Sequence, residues 1–331
     1  MRALRFVALV LVLVGCAARS DKGANTPGGE PNDEVIEMMT RLSKPAREHM
    51  VKVQAHIEKK EWDEALAELE RMKKRQYLDD YERAVMWEAF GALYYERGDF
   101  EQAAAAGDEA LKLNALPEKS KLRTERMLGE LYLQMERFDR ATALLGAWIK
   151  ATPDAKPEDY YLVASAYAQA HQFAEALPLA KQAVDKAPAP REEWLKLLLS
   201  LHFELKQDRE VLAVLERLDA AFPGKKAYRL QIVEAHRALG EDDQALAAME
   251  RAYQDKLLGE EKDLTNLAQL YIDREQPLKA AQLLDVHMAD GSVTPTADNL
   301  RLLGRAWALA GDEDRAKTAM QAADTGTKAS Q

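Results

Sequence analysis

Apolar positions in this chain follow the three-to-four residue spacing of helices, and the pattern itself recurs at a longer period. Three stretches align: "FGALYYERGDFEQAAAAGDEALKLNALP" from Phe90, "LGELYLQMERFDRATALLGAWIKATP" from Leu128, and "VASAYAQAHQFAEALPLAKQAVDKAP" from Val163. Each carries a small residue (Gly91, Gly129, Ala164), an aromatic three later (Tyr94, Tyr132, Tyr167), an alanine twelve later (Ala103, Ala141, Ala176) and a closing proline or its equivalent. Ala268, Tyr271 and Ala280 mark a further copy, and Gly304, Trp307 and Ala316 the last.

Three copies depart from the pattern. Leu199 and Val211 replace small residues in one, although Pro223 closes it on schedule. Val233 and His236 stand in for the small residue and the tyrosine of another, where Gly240 and Ala245 fit. The first copy has only Trp62, Ala65 and Leu69 in register. The second-helix marker falls at 65, 103, 141, 176, 211, 245, 280 and 316, so the period is 34 to 38 residues and eight copies cover 45 to 325.

This pattern resembles the tetratricopeptide repeat, a pair of antiparallel helices. The resemblance implies an all-α, right-handed superhelical solenoid of about eight helix hairpins. The small residues let the two helices of a hairpin approach, and the aromatic fills the space between neighbouring hairpins. One hairpin buries only part of its apolar face, so the stack is the folding entity. Gly98-Asp99 and Gly311-Asp312 suit the tight turn inside a hairpin. The final helix should turn Lys317 and Asp324 outward as a polar cap, with a disordered tail over 326–331.

The first forty-four residues have another character. Arg2 and Arg5 precede an apolar run from Phe6 to Val14, a length that suits a signal peptide rather than a membrane span. The run ends in Leu13-Val14-Gly15-Cys16, and Cys16 is the one cysteine of 331 residues. The stretch resembles the bacterial lipobox, which implies a signal peptide over 1–15, a diacylglyceryl group on the Cys16 sulfur and acylation, with palmitate as a typical chain, of the new amino terminus. Several chains on one cysteine anchor durably, each buried methylene adding about 0.8 kcal/mol. An ordinary secretory signal or an uncleaved inner-membrane anchor is the competing reading. Ala17-Ala18 follow the cysteine where inner-membrane retention uses aspartate, so the pattern implies the periplasmic face of a Gram-negative outer membrane. Residues 16–44 read as a tether, rich in Gly, Pro, Ser and Asp.

Charge excludes one class of partner. Losing Arg2 and Arg5 leaves 44 basic against 56 acidic residues, a net charge of −12, without the basic block that nucleic acid requires. Chemistry is equally sparse. His56, His202 and His236 occupy the aromatic slot of their repeats, His287 a packing slot, His171 a turn, and His49 the start of the array. No pair has the i, i+4 spacing of a metal-binding helix, and no glycine-rich phosphate loop or G-x-S-x-G occurs. The reading is a non-enzyme without metal or cofactor. A deep apolar pocket with converging charges would reopen it.

Partner binding is expected on the concave surface, which first helices line in stacked hairpins. Exposed positions there should lie six and three before each small residue, and one, four and five after it. They include Val85, Glu88, Ala92, Tyr95, Arg123, Arg126, Glu130 and Gln134, then Tyr161 and Gln169, then Lys196 and Phe203. Aromatics and arginine are enriched at interface hot spots. The alternative is that these side chains pack between neighbouring first helices. The clamp for chaperone carboxyl termini is absent, since its asparagine position holds Gln54, Ala92, Glu130, Ser165, Ser200, Glu234, Gln269 and Arg305.

"YLVASAYAQAHQFAEALPLAKQAV", "EEWLKLLLSLHFELKQDREVLAVLERL" and "KDLTNLAQLYIDREQPLKAAQLLD" are similar to repeat proteins encoded beside Ton systems in proteobacteria. That similarity implies an accessory role in energy-coupled uptake, with TonB, ExbB, ExbD or a TonB-dependent transporter as partner. The competing expectation is an adaptor for peptidoglycan hydrolases, outer-membrane protein assembly, or pilus and secretion assembly.

Overall fold

A computed structural model describes residues 38–189 and 191–329. The signal peptide, Cys16 and most of the tether lie outside the described residues, as do 330 and 331. Among the described residues the chain is all helix, without a strand. It divides into two compact units, one ending at Ala183 and the other starting at Val184.

The first unit holds four helix hairpins: α1 (Lys44–Glu58) with α2 (Trp62–Lys73), α3 (Asp80–Glu96) with α4 (Phe100–Lys112), α5 (Glu118–Gln134) with α6 (Phe138–Lys150), and α7 (Pro157–Gln169) with α8 (Phe173–Lys186), the last three residues of α8 falling past the boundary. The second unit holds four more: α9 (Glu192–Glu204) with α10 (Asp208–Ala221), α11 (Lys226–Ala238) with α12 (Asp242–Gln254), α13 (Glu261–Asp273) with α14 (Pro277–Ala289), and α15 (Ala297–Leu309) with α16 (Glu313–Ala329). Each of the eight markers read from the sequence falls on the second helix of its hairpin. In the second unit every helix packs on the next in chain order, and α1 to α7 do the same in the first.

Local chemistry starts these helices in familiar ways. The Ser43 hydroxyl accepts from the Ala46 N–H ahead of α1, and the Thr296 hydroxyl from Asn299 ahead of α15. Asp79 and Glu82 form a reciprocal capping box on α3. Pro157 and Pro277 stand in the first turns of α7 and α14, where a missing N–H costs nothing. The last helix continues to Ala329, past the boundary expected at 325, with the Thr325 hydroxyl shared between the carbonyls of Gln321 and Ala322 (3.0 and 2.9 Å). Back-bonding of this kind lets a polar residue remain helical.

All eight hairpins turn in one way. The fourth residue after the aromatic slot adopts a left-handed conformation: Lys60, Gly98, Glu136, His171, Lys206, Gly240, Glu275 and Gly311, with φ between 55° and 85°. The next residue's N–H then reaches back to the aromatic-slot carbonyl, as from Asp99 to Tyr94 (2.9 Å) and from Arg137 to Tyr132 (2.8 Å). This is the Schellman arrangement, which satisfies carbonyls that a helix end leaves open. Only the turns at Gly98, Gly240 and Gly311 are legible in the sequence, because Lys, Glu and His do not advertise positive φ.

Three of these turns carry a second bond. The histidines of the aromatic slot pack inward and also tie their own turns: His56 Nδ1 to Glu61 (2.8 Å), His202 to Gln207 (2.6 Å) and His236 to Glu241 (2.8 Å). Tyr132 instead bonds between hairpins, donating its hydroxyl proton to Asp108 on α4 (2.6 Å) while accepting from Arg140 (2.7 Å). His287 meets the Tyr253 hydroxyl at 2.8 Å, and His49 meets the buried Glu68 at 2.7 Å.

The core follows the small and apolar markers. Ala65, Ala141, Ala176, Ala245 and Ala280 are fully buried, and Val211, the larger substitute, is half-buried. One expectation fails here. Val85 and Ala92, read as exposed on α3, are 3% and 5% exposed. A helical turn over residues 38–41, ahead of the first repeat, lies against this face, and Met38 lines the same cavity as Val85 and Ala92. The repeat register could not show this cover, because the segment belongs to no repeat.

Candidate partner-binding face

On α3 and α5, the side chains expected to greet a partner mostly hold the first helices together. Glu88 on α3 accepts from the Thr124 hydroxyl on α5 (2.5 Å) and pairs with Arg123 (3.4 Å). Only 12% of the Glu88 side chain and 17% of the Arg123 side chain remain exposed. Arg126 bonds Glu130 one turn along α5 (3.0 Å) and reaches Asp159 on α7 (3.1 Å), with its guanidinium 4.8 Å from the Trp148 ring centroid. The paired arginines are therefore ties between neighbouring first helices. That is the alternative reading for these two positions, and charge-assisted bonds of this kind are the stronger ones.

Further along the same face the side chains open to solvent. Tyr95 is half-buried and tilts against Phe100 at 5.4 Å between centroids. Glu130, Gln134 and Gln169 are exposed, with the Gln169 amide donating to the Ser165 carbonyl (3.2 Å), and Tyr161 is half-buried.

Lys196 and Phe203 belong to the second unit. Lys196 pairs with Glu192 (2.7 Å), which also holds Lys225 and the Tyr228 hydroxyl. Those three donors, Lys196 foremost, pull the Glu192 carboxyl from about 4.5 down to about 2. Phe203 stands apart from this cluster, 70% exposed at the end of α9. Leu309, at the end of α15, is 57% exposed. The face positions named from the sequence stop at α9, but the same register, five after Gly304, reaches Leu309.

Two cavities bear on small-molecule chemistry. One, of about 50 Å³, is apolar and lies among α1, α3, α4 and α5, with Met38 in its lining. That is far below the roughly 300–1,000 Å³ of a ligand pocket. The other is an open cleft of about 660 Å³ at the hairpin turns, beside Tyr132, Arg137 and Arg140. Its charges face one another, Arg137 on Glu101 (2.7 Å) and Arg140 on Asp108 (2.5 Å). Burial pushes the Tyr132 phenol up, and its bond to Asp108 pushes it further. Among the described residues no cluster of His, Cys, Asp and Glu could hold a metal ion, and no helix is long and apolar enough to cross a membrane.

Eight consecutive hairpins with a shared turn, a small-residue contact and an aromatic slot define the architecture. Each unit is an all-α stack of antiparallel, tetratricopeptide-like helix hairpins. No protein-family model and no curated protein matches the chain. Among solved structures, the chain is similar to YrrB, described as a TPR protein with an unusual peptide-binding site, at 18% identity over 53% of this chain and 87% of that one (TM-score 0.41). It is similar to MamA from Desulfovibrio magneticus at 16% identity, over 53% and 95% of the two chains (TM-score 0.39). It is also similar to a tetratricopeptide repeat protein from Parabacteroides merdae at 12% identity, over 85% and 99% (TM-score 0.42).

Proposed function

We propose that this chain is a protein-binding repeat scaffold, anchored through acyl chains on Cys16 to the periplasmic face of the outer membrane, with an accessory role in TonB-dependent uptake. The observation that carries the binding role is Phe203, an aromatic 70% exposed on a first helix. Exposing an aromatic forfeits the burial of a side chain that offers roughly 150–250 Å² of surface, and such side chains dominate interface energetics. Tyr95 and Tyr161, half-buried on first helices of the other unit, offer aromatic surface with a hydroxyl in addition. Membrane attachment rests on Leu13-Val14-Gly15-Cys16, and the uptake role on the similarity of the repeat stretches to proteins encoded beside Ton systems.

The test is photo-crosslinking in intact cells, with a photoreactive side chain at Phe203 and, in a second strain, at Tyr161. Products are identified by mass spectrometry. Capture of TonB, ExbB, ExbD or a TonB-dependent transporter supports the whole reading. Capture of a peptidoglycan hydrolase or an assembly component keeps the binding face and replaces the uptake role by the envelope-adaptor role. Absence of crosslinks at both positions, with crosslinks elsewhere on the surface, overturns the assignment of the first helices.

A further inference from the structure

The first hairpin differs from the rest of the chain in charge. Residues 38–78 carry ten Lys and Arg against seven Asp and Glu, whereas residues 79–331 carry 32 against 44. The excess gathers at one end of the hairpin. Antiparallel packing puts the start of α1 beside the end of α2. The Ser43 N–H donates to the Glu82 carboxylate (2.8 Å), which brings the first turn of α3 to the same place.

Six cations at this end have no carboxylate partner among the described residues: Arg41, Lys44, Arg47, Lys74, Arg75 and Arg83. Three are positioned by groups without charge. Arg41 lies over the Tyr81 ring, its guanidinium carbon 3.9 Å from the centroid, Arg47 donates to the Leu42 carbonyl (3.1 Å), and Arg83 to the Leu78 carbonyl (3.2 Å). Lys44, Lys74 and Arg75 are exposed, with neither ion pair nor side-chain hydrogen bond. The nearby acids are mostly engaged. Glu82 is buried and also accepts from the Asp79 N–H (3.2 Å), Asp79 caps α3, and Glu70 pairs with Lys73 (3.4 Å). Glu48 and Asp80 stay exposed, Asp80 in the first turn of α3, where the helix dipole offsets its charge. Between Arg75 and α3, Tyr77 is 50% exposed.

We propose that this end of the first hairpin is a membrane-contact surface that rests on anionic phospholipid headgroups, with Lys74 and Arg75 against the phosphates and Tyr77 at headgroup level. This rests on the anchored reading above and adds which part of the array meets the bilayer.

Three observations support the proposal. The first is charge complementarity: each Lys or Arg near an anionic leaflet strengthens binding by about fivefold. The acidic remainder of the chain is repelled by the same leaflet, so charge selects this end. The second is Tyr77 beside the unpaired cations, because tyrosine is enriched at the membrane–water boundary, where its ring and hydroxyl meet both phases. The third is continuity with the anchor. Met38 follows Cys16 by 22 residues, which makes the first hairpin the nearest of the eight to the acyl chains along the sequence.

Vesicle co-sedimentation of the full chain carrying Cys16→Ser tests this without the anchor. The chain should bind vesicles containing phosphatidylglycerol in preference to pure phosphatidylcholine, and the binding should fade as salt rises. Lys74→Gln with Arg75→Gln should weaken it by at least about tenfold. Tyr77→Ser should weaken it severalfold. Lys59→Gln with Lys60→Gln makes the same charge change at the opposite end of the hairpin and should leave binding unaltered. All five positions are exposed, so the variants keep their core, and residues 1–15 are common to every chain compared. Binding without preference for the anionic lipid overturns the proposal, as does equal weakening by the two double substitutions. Unchanged binding in Tyr77→Ser overturns the role of the tyrosine. Crosslinks from a photoreactive side chain at Gln76 to an acidic protein in intact cells, without lipid preference in vitro, reassign the patch to that partner. Acylation of Cys16 is read separately, by palmitate labelling of the natural chain, so either result can fail while the other stands.

Discussion

Gly146 on α6 lies directly under the hydroxyl of Tyr167 on α7, so that a Cβ at 146 would overlap the phenol oxygen. Tyr167 is the aromatic of its repeat, and the preceding hairpin has shed a side chain to admit it. Gly146→Ala should therefore destabilise the protein by about 1–3 kcal/mol, the range for overpacking a filled site. Removing the obstructing oxygen tests the cause. In chemical denaturation, Gly146→Ala with Tyr167→Phe should be more stable than Gly146→Ala alone, and a further loss would refute the contact.

Gly129 and Gly91 occupy the same repeat position yet should respond with opposite sign. A Cβ at Gly129 would stand 2.6 Å from Leu145 Cγ, whereas one at Gly91 meets its nearest neighbour, the Ala103 carbonyl oxygen, at an ordinary 3.4 Å. Gly129→Ala should destabilise. Gly91→Ala should stabilise by about 0.5–1 kcal/mol, through the backbone freedom that glycine surrenders in a helix. Denaturation midpoints of the two variants decide it.

The shared turn separates conformation from packing. Gly98 has φ 76° and nothing within 4 Å of a built Cβ, so the loss in Gly98→Ala comes from backbone strain alone, about 1–2 kcal/mol. Lys206 holds φ 55° with a full side chain. Lys206→Gly should relieve the same strain, offset by about 0.4–1 kcal/mol of added freedom in the unfolded chain. It should be neutral to stabilising, read as the shift in urea midpoint.

Glu192 gives the second unit an acid-sensitive point. Lys196, then Lys225 and Tyr228, hold its carboxyl at about 2 against about 4.5 in the free side chain. A depressed carboxylate stabilises fully above its unfolded value, and the benefit disappears as pH falls from 4.5 toward 2. Glu192→Gln should cost stability near neutral pH, with the difference from the parent vanishing at the acid end. Carboxyl-resolved NMR titration should find the Glu192 value rising in Lys196→Ala. A value unchanged by that substitution would exclude the lysine as the cause.

The sequence made the eight hairpins legible because each marker is a size requirement that one residue states alone. Ala141 or Ala280 can be nothing larger where two helices touch, and the recurrence of that demand every 34 to 38 residues is visible as text. The histidines at 56, 202 and 236 were legible as slot fillers for the same reason. Their bonds to residues five positions later were not, because these depend on a turn whose left-handed residue is lysine in two cases and glycine in one.

The face was less legible than the fold. Repeat register placed Arg123 and Arg126 on first helices, yet only the packed hairpins show Glu88 and Asp159 within reach of them. It also placed Val85 and Ala92 toward solvent, and both are buried, beside α5 and Met38 of a turn outside the repeats. Sequence by itself determined the element count, the pairing of helices, and the absence of recognisable catalytic motifs, since these depend on local size and periodicity. Tertiary structure decided which face positions are free, because exposure depends on neighbours brought together from 35 or 36 residues away, as Glu88 is to Arg123 and Thr124, and on Met38, which no periodicity announces.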